Sequence, residues 1–229
     1  GRQTVRKAST DLKNNDFEES IKLKTMPAVK LLEVQFPPVF IEEINQYIDD
    51  VVIPNNKDYS DKLVGQLKGE KSAQLDFPLK GHETGEQFKK VLENLGKSFV
   101  QKPYNRMSSV ECFECWTVHS YEGDYNPLHD HGVQTQSGLS CILYLKVPDS
   151  IKNKPKIEVP NLNHASGEID GWTQFQWGAN TMKDIYQLRE QTQHVVRPVE
   201  GKLLMFPCWL NHMVSVSYTH LTLPTKQDV

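Results

Sequence analysis

The feature that most constrains this fold is a change in the spacing of apolar residues at Pro103. Before Pro103, apolar side chains recur every three or four residues after Pro37 and again after Thr84, which is typical of amphipathic helices. After it, apolar and polar residues alternate, as in residues 139–147, which is typical of strands. Helices followed by strands that are separated by turn signals predict a mainly β fold with N-terminal helices, an antiparallel jelly roll.

The chain has 229 residues, a length that one domain can accommodate. Residues 1–25 are polar and predict a disordered tail, which leaves residues 26–215 as a single domain. A net charge of −3 gives no basic excess, so nucleic acid is not expected as a partner. No apolar run reaches the ~18 residues of a spanning helix, and the N-terminal segment lacks the apolar core of a signal peptide. We therefore expect no membrane partner and a cytoplasmic location, while the oligomeric state and the substrate stay unknown.

The strand patterns after Pro103 also make local predictions. Residues 110–121 and 172–177 are expected to be strands, and residues 193–199 and 202–206 are expected to form a hairpin that turns at Glu200 and Gly201. Cys112 and Cys115 form a C-x-x-C, but positions i and i+3 of a strand face opposite sides, so a shared metal is not expected there. The cysteines are expected to be small core residues in a reducing compartment.

Two histidines separated by one residue give the strongest chemical signal. His129 and His131 stand at i and i+2, so an extended chain directs both imidazoles to one face. His212 follows a strongly apolar strand, and a jelly roll can bring two distant strand ends together. Neutral imidazole is a favoured ligand of iron, copper, zinc and nickel. The spacing therefore predicts a metal site of His129, His131 and His212, against the simpler interpretation of solvated histidines in turns. Asp130 replaces one histidine as a ligand only if the backbone there is irregular.

The residues around these histidines resemble the non-haem iron, 2-oxoglutarate-dependent oxygenases, in a branch found in bacteria and their phages. The resemblance covers the segment from Trp116 to residue 126, the His129-x-His131 motif, residues 137–138 and 143–148, and residues 197–214. It implies a double-stranded β-helix in which His129, His131 and His212 hold Fe(II) and 2-oxoglutarate is the co-substrate. The implied activity is an oxygenase that hydroxylates a substrate while 2-oxoglutarate is converted to succinate and carbon dioxide. Tyr144, on the strand face opposite the apolar stripe, is implied to bind the co-substrate.

The end of the chain departs from the family pattern. Members usually carry an arginine after the last metal histidine, which pairs with the far carboxylate of 2-oxoglutarate. No arginine follows Arg197, and residues 216–221 resemble the translation of a sequencing adapter. We hypothesise that residues 216–229 are non-native, so that the fold would lack an inner strand and this anchor. Arg197 or Lys202 could replace the arginine only if it faced the mouth of the β-helix.

Two other functions stay open on the sequence. A three-histidine dioxygenase that uses no 2-oxoglutarate would explain the absent carboxylate ligand and the absent arginine. A jelly-roll binding module without catalysis would make the histidines incidental.

Overall fold

The computed structural model describes residues 29–60, 74–105, 109–120, 124, 126–132, 138–153, 169, 171–178, 186, 188, 190–215 and 226–228. The predicted polar tail, residues 1–25, and most of the suspected tail, residues 216–225, lie outside this range. Among the described residues, no helix has the length and apolar character needed to span a membrane.

Two helices in the N-terminal half confirm the helical spacing. Helix α1, Pro38–Tyr47, begins with a proline, whose fixed φ suits the first turn, and it continues through a wider turn, Ile48–Val52, to Ile53–Asn55. Helix α2, Glu83–Tyr104, ends where Asn105 adopts a positive φ of 49°. A third, short helix, α3, spans Asp149–Lys152. The buried faces of α1 and α2 pack against the same sheet.

Within the described residues, ten strands form two antiparallel sheets. In chain order they are β1 Leu32–Gln35, β2 Gln74–Asp76, β3 Glu114–Val118, β4 Asn126–His129, β5 Leu139–Leu143, β6 Thr173–Gln176, β7 Gln193–Val196, β8 Lys202–Pro207, β9 Asn211–Val214 and β10 Lys226–Asp228. The large sheet has the order β1-β8-β5-β10-β3-β2, and the small sheet has the order β4-β9-β6-β7. From β3 onwards the chain passes between the two sheets at every connection except that from β6 to β7. This is the predicted double-stranded β-helix, and the prediction of a mainly β fold with N-terminal helices is confirmed.

The two faces of the large sheet bury different cores. One face packs against α1 and α2 and contributes Cys141 and Leu143 from β5, and the other packs against the small sheet and contributes Ile142 and, just after β5, Tyr144. We call these the helix-side core and the inter-sheet core. The alternation predicted across residues 139–147 is therefore confirmed as far as Leu145, but it was wrong for Val147, which lies in the inter-sheet core because β5 ends at Leu143. The four cysteines are buried and form no disulfide bonds, as their neighbourhoods predict.

The predicted hairpin between residues 193–199 and 202–206 was wrong. Strand β7 pairs with β6 in the small sheet, whereas β8 pairs with β1 and β5 in the large sheet. Gly201, with φ +81°, makes the turn, and the amide of Lys202 donates to the carbonyl of Val199 at 3.0 Å. The turn was predicted correctly, but a turn signal does not determine whether the strands on its two sides pair.

The suspected tail contributes to the large sheet. Strand β10 lies between β3 and β5, so that Gln227 is opposite both Cys115 and Cys141. The expectation that the sheet lacks an inner strand was therefore wrong, because residues 226–228 occupy that position. The non-native origin of residues 216–229 is not tested by the structure and stays a prediction.

Candidate metal centre

His129 and His212 face each other across two neighbouring strands. Strand β4 is the edge strand of the small sheet and pairs with β9, and these two histidines are directly opposite in the register. Their ring centroids are 4.4 Å apart, and the residues are 9% and 1% exposed. Backbone pairing thus fixes two imidazoles at the end of the inter-sheet core.

The same local contact orients both rings. The Nδ1 atom of His129 is 2.7 Å from the carbonyl oxygen of Pro127, and Nδ1 of His212 is 3.0 Å from that of Leu210. A carbonyl accepts only, so each Nδ1 carries the proton and donates to the residue two positions earlier. This leaves a lone pair on each Nε2, which is the arrangement found in histidines that bind metals.

His131 completes the group from outside the strands. It follows β4, and its amide donates to the carbonyl of Cys208 at 3.1 Å, which ties this loop to the turn before β9. Its Nε2 is 3.2 Å from Nε2 of His212, and the two rings are stacked with centroids 5.0 Å apart. Because Nε2 of neutral His212 is an acceptor, the two nitrogens need a shared proton or a cation between them.

The three imidazoles have the geometry of a metal centre. One nitrogen from each of His129, His131 and His212 lies within 4.8 Å of the other two. Two nitrogens bound to one ion at ~2.0–2.1 Å, with angles near 90–110°, are about 3 Å apart. The 3.2 Å separation fits this value, and the donor set suits iron, copper, zinc or nickel. Sequence spacing therefore identified a trio that the fold assembles, and its assignment as metal ligands stays a prediction.

Asp130 points out of the trio. It is exposed, and its Oδ1 accepts a hydrogen bond of 2.8 Å from the amide of Gly132, where φ is +63°. The carboxylate thus closes a turn from Asp130 to Gly132, with His131 at its centre. Among the described residues, Asp130 does not belong to the group that could hold an ion.

Aromatic side chains surround the histidines. Phe206 makes an edge-on contact with His212 at 4.9 Å, and Phe175 lies 6.2 Å from the same ring. On the other side, Trp116 lies 6.2 Å from His131 and stacks on Tyr59 at 5.2 Å. Trp116, Phe175 and Phe206 are buried, and buried apolar surroundings strengthen electrostatic interactions.

Tyr144 lies in the inter-sheet core together with Phe175 and Phe206. Its hydroxyl is 2.6 Å from Oγ1 of Thr173 on β6, and the residue is 1% exposed. Burial raises the pKa of Tyr144 well above its ordinary value, and the bond with Thr173 opposes only part of this effect. Tyr144 is therefore a neutral hydroxyl, suited to a hydrogen bond with an anion. Its predicted role in binding the co-substrate stays a prediction.

Arg197 does not face the mouth of the β-helix. Its Nη2 donates to the carbonyl of Ile151 at 2.8 Å and to that of Lys152, and its guanidinium lies 5.9 Å over the ring of Trp172. These contacts hold the C-terminal end of α3. Lys202 begins β8, where its carbonyl accepts from the amide of Tyr144 at 3.0 Å. No described side-chain contact indicates that Arg197 or Lys202 replaces the arginine that binds the far carboxylate.

Sequence reasoning missed several residues around the site. Thr173 was part of a predicted strand, but no pattern linked it to Tyr144 on β5. The sequence allowed Trp116 to line a pocket, but a large aromatic side chain between strands is more often a core residue. The signal that distinguishes it is the contact with His131, which depends on the pairing of strands far apart in the chain.

Sequence comparison connects the centre to a known family. Residues 114–221 match the family described as "Putative 2OG-Fe(II) oxygenase", where 2OG is 2-oxoglutarate, and all three histidines lie inside the match. Residues 114–221 are therefore similar to the 2OG-Fe(II) oxygenases. The predicted enzyme class, with Fe(II) and 2-oxoglutarate as cofactors, is confirmed for these residues. Comparison with curated protein sequences finds no match.

Solved structures share the fold of most of the chain. A prolyl-4-hydroxylase from Pseudomonas putida has a TM-score of 0.55 at 13% identity, over 86% of this chain and 90% of its own. The non-haem α-ketoglutarate-dependent carbocyclase SnoK from nogalamycin biosynthesis has 0.54 at 7%, over 88% and 79%. HygX from Streptomyces hygroscopicus, crystallised with nickel, 2-oxoglutarate and hygromycin B, has 0.51 at 12%, over 88% and 82%. At these identities the likeness establishes the fold alone.

Proposed function

We propose that this protein is a hydroxylase that couples the oxidation of a substrate to the decarboxylation of 2-oxoglutarate, with iron held by His129, His131 and His212. The observation that supports this most directly is the convergence of three imidazole nitrogens within 4.8 Å, inside the segment that matches the oxygenase family. The bond geometry and the neutral nitrogen donors both suit Fe(II).

Different residues of the chain bind the metal, bind the co-substrate and keep water from the centre. When bound, Fe(II) would activate oxygen, which is the oxidant, and the decarboxylation of 2-oxoglutarate would supply electrons for the reduction of oxygen. His129 and His212 keep Nε2 available because Nδ1 donates to a backbone carbonyl. Tyr144 and Thr173 offer two hydroxyls to the far carboxylate of the co-substrate, in place of the absent arginine. Phe175 and Phe206 keep water from the inner side of the centre.

Succinate formation tests this function. Purified protein with Fe(II), oxygen and 2-oxoglutarate is expected to release succinate, and His212→Ala is expected to abolish the release by removing a buried ligand. His194→Ala is the matched control, since His194 is exposed on β7 and outside the trio. Succinate release that persists in His212→Ala would exclude the proposed centre.

A second candidate is favoured by the composition of the trio, which has three histidines and no carboxylate. Such a centre could serve a dioxygenase that needs no oxo acid. Oxygen consumption by the Fe(II) protein without 2-oxoglutarate would favour this enzyme. Protein that binds no Fe(II) at all would favour a binding module without catalysis.

We also propose that residues 26–215 form the oxygenase domain and that residues 216–229 are non-native. The nucleotide sequence tests the tail directly, because an adapter motif must underlie codons 216–221. A cytoplasmic location is proposed as well, and it is supported by four buried cysteines that form no disulfide bonds.

A further inference from the structure

One buried hydrogen-bond donor beside the histidines has no acceptor among the described residues. Trp116 is 3% exposed, and its indole Nε1 makes no hydrogen bond within the part of the chain that the structure describes. Buried polar groups are hydrogen-bonded in the great majority of cases, so an unmatched donor calls for an explanation. Beside a ligand site, the simplest explanation is that the ligand supplies the acceptor.

The fold holds this indole in place on the rim of the centre. Trp116 belongs to β3, and its neighbour Cys115 points the other way into the helix-side core. The ring lies 6.2 Å from that of His131, and Tyr59 stacks on it at 5.2 Å with an angle of 20° between the planes. The amide of Tyr59 donates to the carbonyl of Gln74 at 3.0 Å, so the stacked ring is anchored to β2.

The histidines therefore lie between two aromatic walls with different polar groups. The wall of Phe175 and Phe206 adjoins His212 and belongs to the same core as Tyr144. The wall of Trp116 and Tyr59 adjoins His131. The far carboxylate of 2-oxoglutarate is proposed above to bind at the Tyr144 side, while its carboxylate and oxo group next to the metal must stay beside the histidines.

We propose that the indole N–H of Trp116 donates to the metal-bound carboxylate of the 2-oxo acid and so positions the co-substrate beside His131. This inference rests on the proposed function. An indole is a donor only, so it needs an oxygen acceptor and cannot pair with an amine. A donor hydrogen bond to an ionised carboxylate is stronger than one to a neutral group. It also adds no positive charge next to the metal.

Binding of two different 2-oxo acids distinguishes contacts with the metal-side carboxylate from contacts with the far carboxylate. Pyruvate has the carboxylate and oxo group of 2-oxoglutarate but lacks the far carboxylate. In Fe(II)-loaded protein without oxygen, we expect Trp116→Phe to lower the affinity for both oxo acids by about the same factor. The expected factor is about 10- to 100-fold, which corresponds to the loss of one hydrogen bond to a charged acceptor. Tyr144→Phe is expected to lower the affinity for 2-oxoglutarate and to leave the affinity for pyruvate unchanged. Calorimetry measures both affinities, and the affinity for Fe(II) alone is expected to be unchanged in Trp116→Phe.

Trp172→Phe is the matched control. Trp172 is 6% exposed and also has a buried Nε1 without a partner among the described residues, but its ring contacts Arg197. The substitution removes the same group from a similar environment, so it is expected to leave the affinity for pyruvate unchanged.

A second measurement does not depend on the folding of Trp116→Phe. In Zn(II)-loaded protein with ¹⁵N-labelled indoles, the Trp116 resonance is assigned by elimination with Phe variants of Trp172, Trp177 and Trp209. Its proton is expected to move downfield when pyruvate binds, because a hydrogen bond forms. A resonance that does not move while pyruvate binds overturns the proposal.

The outcomes separate this inference from the function on which it rests. If wild-type protein with Fe(II) binds no 2-oxoglutarate, the proposed function fails, and the inference fails with it. If the wild type binds 2-oxoglutarate and Trp116→Phe binds both oxo acids as tightly as the wild type does, the inference alone is wrong. If Trp116→Phe lowers the affinity for 2-oxoglutarate but not for pyruvate, the indole contacts the far carboxylate, which also overturns the proposal.

Discussion

At the scale of single residues, the centre depends on hydrogen bonds that each histidine makes close to itself in the chain. His129 and His212 each donate from Nδ1 to the carbonyl two residues earlier. A short extended segment provides this contact without any distant partner, so the tautomer is a local property. The distance between the two rings is not local, because it requires β4 to pair with β9.

The bond between Tyr144 and Thr173 makes a prediction about stability. Thr173→Val keeps the shape of the side chain but leaves the buried Tyr144 hydroxyl without its partner, which costs about 1–3 kcal/mol. Tyr144→Phe in the same background removes the unmatched hydroxyl and is expected to recover part of the loss. Urea unfolding measures both changes. A double variant less stable than Thr173→Val alone would contradict the assignment.

His119 gives a prediction about pH. Burial lowers the pKa of His119 below its ordinary 6.5, and the positive charge of Lys146 lowers it further. The unfolded chain therefore takes up this proton more readily than the folded one. The stabilisation is complete above pH 6.5 and is lost as the pH falls towards the folded pKa.

The substitution His119→Gln removes this titration and keeps a polar partner for Thr117, whose Oγ1 is 3.1 Å from Nε2 of His119. Urea unfolding between about pH 5 and pH 7, where histidines titrate, is expected to show a smaller loss of stability on acidification than in wild type. His194→Gln, at an exposed position, is the control. Equal slopes in wild type and His119→Gln would show that another group causes the dependence.

At the scale of elements, the sequence predicted what depends on neighbouring residues. The spacing of apolar residues determined both long helices and the two faces of β5, because burial on one face imposes a period. It did not determine which strands pair. The segments around Glu200 and Gly201 have the same local signals as a hairpin, yet β7 and β8 belong to different sheets because the chain crosses between layers there.

Gly201 makes this crossing possible, and its replacement tests the packing of the turn. A Cβ at Gly201 would lie 2.6 Å from Nε2 of Gln35 and 2.9 Å from the carbonyl oxygen of Phe36, at a φ of +81°. At Gly81 the φ is +84°, but nothing lies within 4 Å of such a Cβ. Gly81→Ala is expected to cost only the backbone strain, about 1–2 kcal/mol. Gly201→Ala is expected to cost more, and equal losses in thermal unfolding would show that the contacts relax freely.

At the scale of the whole molecule, the centre joins segments that are 81 residues apart, as His131 and His212 are. The resemblance of motifs made this meeting predictable, whereas the walls formed by Tyr59, Trp116 and Phe175 depend on tertiary contacts that no local pattern encodes. Since a bound ion contacts the folded chain only where these segments meet, binding must add to the free energy of unfolding.

Metal binding is therefore expected to stabilise the protein. At a free metal concentration of 100 times Kd, the gain is about 2.7 kcal/mol. His212→Ala is expected to lose this gain, while His194→Ala, outside the trio, keeps it. Thermal unfolding with and without Fe(II) in the absence of oxygen measures the shift. Equal shifts in His212→Ala and wild type would place the ion elsewhere.

The three histidines are not equivalent in how firmly they are held. His129 and His212 belong to paired strands and are buried, whereas His131 follows β4 and is half-buried. If the three imidazoles hold an ion as proposed, a small movement of one loop would detach His131, whereas His129 and His212 would leave only if the strands separated. We therefore expect the loop after β4 to set the rate at which a chelator extracts the metal, while all three imidazoles would determine the affinity. Kinetic lability and thermodynamic affinity would then depend on different parts of the same centre.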